Sequence, residues 1–136
     1  MKMSIRKLCR RGCALLAALF IFFNVTVVPA QASDDWDGPV LNRVIGTVEC
    51  PSGKETYYNL NMTWIIEYMH EQGYEGEFWV RDDGVKMLGD YVMCAACFDV
   101  HPLGSLVETS LGTAIVCDTG TFIYDNPYQI DIAVRW

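Results

Sequence analysis

The sequence predicts a small, mainly β barrel with one amphipathic helix. Short runs rich in β-branched and aromatic residues recur between tight-turn residues, and only one stretch has helical spacing. The remaining feature is an amino terminus that is basic, then apolar, then polar.

Before the first acidic residue, Asp34, the chain carries Lys2, Arg6, Lys7, Arg10 and Arg11 and then an apolar stretch from Ala14 to Val28. At about fifteen residues, interrupted by Asn24 and Thr26, the stretch is short for a membrane span of roughly twenty and suits the apolar region of a secretory signal. Pro29-Ala30-Gln31-Ala32 supplies the small residues of a cleavage site, so residues 1–32 read as a signal peptide with Ser33 as the new terminus. An uncleaved anchor would tether the same domain to the outer face. A lipoprotein is disfavoured, because Cys9 and Cys13 precede the apolar run.

Processing removes five of ten basic residues and none of the seventeen acids, leaving a formal charge of −12. That sign excludes a nucleic-acid binder and disfavours attraction to anionic lipid, so no stable membrane association is expected after processing. The 104 remaining residues suffice for one domain with one core.

Residues 33–41, with Asp34, Asp35 and Asp37, read as a flexible acidic leader. The domain then spans residues 42–136. Arg43 to Glu49, with Val44, Ile45, Thr47 and Val48, reads as a first strand, ended by Pro51-Ser52-Gly53. Met62, Ile65, Ile66 and Met69 stand at i, i+3, i+4 and i+7, which predicts a helix over Met62 to Gln72. Asn61 is its expected N-cap and Gly73 its left-handed terminator. Glu67, His70 and Glu71 fall on the solvent side. Phe78 to Arg81 and Val85 to Leu88 flank Asp82-Asp83-Gly84 as a hairpin. Tyr91 to Ala96, Ser105 to Thr109, Thr113 to Cys117 and Tyr128 to Val134 read as further strands, the pattern of a small barrel.

Four cysteines remain in the domain: Cys50, Cys94, Cys97 and Cys117. An even number in an exported domain points first to disulfides, whose pairing the sequence does not choose; a bridge involving Cys117 is favoured. Free buried thiols are the alternative. A four-thiolate zinc site is disfavoured, because Cys94-Ala95-Ala96-Cys97 reads as a strand without the glycine turn of a zinc knuckle. No metal or other cofactor is expected.

Three carboxyl-terminal segments each hold an aspartate beside a turn or on a strand: Asp99 ahead of Pro102-Leu103-Gly104, Asp118-Thr119-Gly120 after an apolar strand, and Asp131 followed by Ile132. In order and spacing, over residues 91 to 136, this resembles the 3D (Asp-Asp-Asp) domain family. The resemblance implies a six-stranded double-psi β-barrel related to that of lytic transglycosylases, acting on peptidoglycan glycan strands. It implies that Asp131 is the acid/base and Asp118 its support, with Asp99, Thr119 and Gly120 in structural roles. Thr121 stands where the family has a second glycine.

The residues carry a separate argument for Asp131. From Tyr128 to Trp136, the apolar Ile130, Ile132 and Val134 alternate with Gln129, Asp131, Ala133 and Arg135, so Asp131 is held on a rigid strand away from the apolar side. Cleaving a sugar acetal needs a carboxyl that keeps its proton near neutral pH, and burial or a neighbouring carboxylate provides this. A transglycosylase works with one such group; an ordinary hydrolase wants two. An Asx-type turn at Asp118 and a merely solvated Asp131 are the plain alternatives.

Two other enzyme classes fit poorly. Asp118-Thr119-Gly120 is the triplet of an aspartic protease, but only sixteen residues follow Gly120. The two histidines, His70 and His101, suit no Ser/His/Asp triad. The rival is a non-catalytic extracellular module that binds glycan or protein, with Trp64, Trp79, Tyr57, Tyr58, Tyr124 and Tyr128 as candidate stacking residues. Amino-terminal sequencing of the exported protein is expected to begin at Ser33; an intact Met1 selects the anchored form.

Overall fold

The computed structural model describes residues 36–136; the signal segment and the start of the acidic leader lie outside the described residues. The described chain is mainly β, with one helix and one open sheet of eight strands. That is two more strands than the six expected. In chain order they are β1 (Val48–Cys50), β2 (Gly53–Tyr58), α1 (Thr63–Glu71), β3 (Phe78–Val80), β4 (Lys86–Leu88), β5 (Tyr91–Ala95), β6 (Leu106–Thr109), β7 (Gly112–Asp118) and β8 (Ile130–Ala133). No helix among the described residues is long and apolar enough to cross a membrane.

The sheet runs β1-β2-β8-β5-β4-β3, with β7 on the far edge of β5 and β6 beyond it. Two pairs are parallel, β2 with β8 and β5 with β7; the others are antiparallel. Strand β5 changes partner along one edge, from β4 at Tyr91 and Val92 to β8 at Cys94 and Ala95. Its other edge carries β7 throughout.

The central strands are buried on both faces. Cys94, Val116, Ile130, Ile132 and Val134 join Leu41, Val48 and Val107 in one cluster. Met93, Ile115, Cys117 and Ala133 face the opposite way, beneath Ile65 and Met69 of α1 and Met62 at its cap. The helical stripe therefore packs as its spacing predicts. Asn61 lies one residue outside the helical cap position but still accepts bonds from the Thr63 N–H at 3.0 Å and the Thr63 hydroxyl at 2.7 Å. Gly73 ends the helix at φ 89°.

The expected first strand is corrected. Arg43, Val44 and Ile45 form a turn, because Asn42 Oδ1 accepts from the N–H groups of Val44 at 3.0 Å and Ile45 at 3.1 Å, and its carbonyl accepts from Gly46. A side chain that closes its own turn outweighs β-branched propensity. The strand is confined to Val48–Cys50. The last strand is likewise shorter than expected: Tyr128 stays in the preceding turn, and Val134 contributes an isolated bridge to Val85.

Strand β2, unexpected from the sequence, carries the most deeply buried carboxyl of the described chain. Glu55 has no solvent exposure. It accepts from the Ser110 N–H at 2.9 Å and the Ser110 hydroxyl at 2.5 Å, while that hydroxyl oxygen accepts from the Leu41 N–H at 2.9 Å. One side chain thus ties the β6–β7 turn to β2, and through Ser110 to the segment preceding β1. Glu55→Ala leaves the Ser110 N–H buried without an acceptor and opens a cavity, and is expected to cost about 2–4 kcal/mol. Urea denaturation measures this; Glu55→Gln, which keeps one acceptor, is expected to lose less.

Candidate functional site

Strand register brings two of the three aspartates together. Thr56 on β2 pairs with Asp131 on β8, Asp131 pairs with Ala95 on β5, and Ala95 pairs with Asp118 on β7. Directly paired residues point to the same face, so Thr56, Asp131, Ala95 and Asp118 form one cross-strand row. Neighbouring strands lie about 4.8 Å apart, which places the two aspartate backbones roughly 10 Å from each other. Ala95, between them, has the smallest side chain that a strand residue other than glycine can offer.

Asp118 reaches this face only through a bulge. Cys94 pairs with Val116 and Ala95 with Asp118, so Cys117 is the extra residue on β7. Strict alternation from Val116, whose side chain lies in the cluster opposite α1, would send Asp118 the same way. The inserted residue shifts the phase by one and turns the carboxylate onto the row.

Hydrogen bonds then divide the roles of the two carboxyls. Asp118 accepts from the Tyr58 hydroxyl at 3.0 Å through Oδ2 and from the Thr119 N–H at 2.8 Å through Oδ1, so both oxygens are engaged. Asp131 accepts from the Thr56 hydroxyl at 2.7 Å through Oδ1 alone. Gln129 Nε2 donates to Thr56 Oγ1 at 2.8 Å. With that oxygen accepting from Gln129, the hydroxyl proton is directed to Asp131, and Oδ2 is the oxygen left to carry an acid proton.

Partial burial raises the Asp131 carboxyl above the ordinary range; the Thr56 bond opposes the shift and the charge of Asp118 adds to it. Desolvation is the largest of the three. Burial also pushes up the Tyr58 phenol, reinforced by the neighbouring Cys117 and Asp118, so Tyr58 stays protonated and donates.

Comparison with family models, curated proteins and solved structures found no match.

The other expected residues fall around this row. Asp99 is exposed in the turn after β5, and its carboxylate makes none of the hydrogen bonds of the row. The turn itself is held by Val100 and His101 N–H groups donating to the Cys97 carbonyl. Pro102-Leu103-Gly104 leads back onto β7, with the Gly104 N–H donating to the Val116 carbonyl at 2.7 Å. Gly104 takes φ 78°, and a Cβ there would stand 2.0 Å from the Tyr74 ring. The glycine therefore fixes how closely this loop approaches the chain below α1. Gly120 is extended and opens a short 3-10 turn, Thr121–Tyr124. No non-glycine residue among those described takes a positive φ, so Thr121 sits in backbone that any residue adopts.

All four domain cysteines are free and buried, in place of the disulfides favoured by their even number. Cys94 and Cys117 stand on neighbouring strands but in opposite clusters, so their thiols point to different faces of the sheet. Burial pushes the Cys117 thiol up to about 12 and raises Cys94 well above its ordinary value. Among the described residues, no group of His, Cys, Asp or Glu side chains converges to hold a metal ion.

Sequence reasoning did not identify Thr56 and Gln129 as site residues, and it read Tyr58 only as a stacking aromatic. Their partnership with the aspartates depends on the β2–β8 pairing, which no local pattern reports.

The raised Asp131 value fixes the sign of a pH effect. Between its unfolded and folded values the native chain binds more protons than the unfolded chain, so this group's contribution to stability falls as pH rises. Asp131→Asn removes the burden of the ionised form while Oδ1 can still accept from Thr56. Its melting temperature is therefore expected to gain on wild type as pH rises from the ordinary carboxylate value of about 4. A difference that stays constant across pH overturns the assignment.

Proposed function

We propose that the chain is exported and that its domain cleaves peptidoglycan glycan strands, with Asp131 as acid and then base. The observation that carries this reading is the asymmetry of the aspartate row. One carboxyl is raised and keeps an oxygen free, while the other is held by two donors. The 3D-like order of the motifs supports the substrate class and a double-psi arrangement of the strands. The two parallel pairs, set among antiparallel ones, are compatible with such an arrangement.

In this mechanism, Asp131 delivers its Oδ2 proton to the bridging oxygen as the glycosidic bond breaks. Asp118 faces the positive charge that develops on the sugar. The Asp131 carboxylate then takes a proton from a hydroxyl of the same sugar, which closes an anhydro ring. One acid/base group suffices because the nucleophile belongs to the substrate. The loop from Asp118 to β8 carries Tyr124 and Tyr128, 84% and 64% exposed, as stacking surfaces for the sugar.

A second reading is a glycan-binding module without catalysis. The same exposed tyrosines suit it.

Purified protein incubated with isolated cell walls distinguishes them. Release of fragments with anhydro-sugar ends is expected, and Asp131→Asn is expected to slow it about 10²- to 10⁴-fold, the usual contribution of general acid/base catalysis, with the fold intact. Ordinary reducing ends indicate hydrolysis. Wall binding without release selects the module.

A further inference from the structure

We infer a second ligand site, for the terminal carboxylate of a short, partly apolar peptide, in the cavity between the start of α1 and strands β3 and β4. It lies apart from Asp131 and does not depend on the glycan-cleavage reading. The cavity measures about 530 Å3, and Lys86 and Arg135 both line it.

The cation pair is produced by the sheet. Val85 bridges antiparallel to Val134, so Lys86 and Arg135 are diagonal neighbours on one face. The Arg135 N–H donates to the Gly84 carbonyl at 2.9 Å, which fixes that register. Lys86 is only 6% exposed. Its Nζ donates to Asn59 Oδ1 at 2.8 Å and to the Leu60 carbonyl at 2.5 Å, both neutral oxygens. An ammonium has three donors, so one N–H and the whole charge remain without an anion.

This arrangement is anomalous for so acidic a protein. Seventeen acids stand against ten basic residues in the chain, yet the ion pair found among the described residues is Arg81 with Asp83, outside this cavity. Holding the Asn59–Leu60 segment requires only a neutral donor, so the charge of Lys86 is left over for a ligand in the cavity. Burial, and then repulsion from Arg135, lower the Lys86 value, as expected for a cation that lacks its anion.

The helix adds to the same potential. Asn61, Met62 and Thr63 line the cavity, so α1 begins there. Asn61 Oδ1 takes up the Thr63 N–H, but that cap is neutral and the first turn has no acidic residue. The positive end of the helix therefore adds to the two side-chain charges.

The remaining wall selects the body of the ligand. Leu60, Met62, Ile66 and Phe78 are apolar. A cationic end beside an apolar wall fits a carboxylate attached to small apolar side chains. A bare inorganic anion would leave that wall unused.

The test is an NMR titration of isotope-labelled protein with N-acetyl-dialanine bearing a free carboxylate, beside its carboxyl-terminal amide and beside inorganic phosphate. Saturable shifts are expected at the Leu60, Thr63, Trp64 and Arg135 amides. The amide form is expected to bind about tenfold more weakly, the equivalent of one charge-assisted hydrogen bond. Arg135→Gln changes an exposed side chain and is expected to weaken binding to a similar degree, whereas Asp131→Asn is expected to bind as wild type. Absence of saturable shifts, shifts at another surface, equal binding of the amide, or phosphate binding as tightly as the peptide each overturn the inference. The two proposals fail separately: wild-type protein that binds the peptide but releases no wall fragments rejects only the cleavage reading.

Discussion

The structure depends on strand β5 being hydrogen-bonded along both edges and covered on both faces. Such a strand must be apolar and small where neighbours crowd it, and Val92, Met93, Cys94 and Ala95 are almost wholly buried. Because β7 and β8 flank its last residues, whatever pairs with Ala95 is brought to one place from distant parts of the chain. The aspartate row is a product of backbone pairing, and its side chains inherit their spacing from the sheet. Loops alone would not hold two carboxyls at a fixed separation with so little conformational freedom.

The same geometry explains why the two aspartates differ. Asp131 stands on β8, next to the edge where β2 supplies Thr56. Asp118 stands at the end of β7, where the chain leaves the sheet and the Thr119 N–H is free to turn back onto it. Tyr58, two residues beyond Thr56 on the same face of β2, reaches Asp118 across the intervening strands. A single strand therefore supplies a donor to each carboxyl. That strand is anchored in turn by Glu55, whose side chain projects from the opposite face.

Much of this is legible in the sequence where the determinants are local. The helical stripe, the hairpin around Asp82-Asp83-Gly84 and the alternation from Ile130 to Val134 each appear in the structure, because each is set by the periodicity of a single segment. Asp131 is conspicuous for the same reason, and Asp118 for the Asp-Thr-Gly triplet that it opens. The failures have non-local or competing causes. Asn42 captures two N–H groups and turns a β-branched segment away from the sheet. Lys54 and Glu55 disguise β2, since a charged residue at a core position reads as a loop until its partner, Ser110, is known. The bulge at Cys117 is invisible to a two-residue period and reverses the face that this period assigns to Asp118.

The buried thiols carry a consequence for their own chemistry. Disulfide exchange proceeds through the thiolate, and a thiol whose pKa is about 12, as for Cys50 and Cys117, is ionised to only about one part in 10⁵ at pH 7. Their sulfurs are also enclosed, which keeps an oxidant or exchange partner from reaching them in the native state. In the folded domain these two thiols are therefore poor partners for disulfide exchange. Its cysteines serve as small hydrophobes, and its durability outside a cell would rest on packing and on the Glu55 tie.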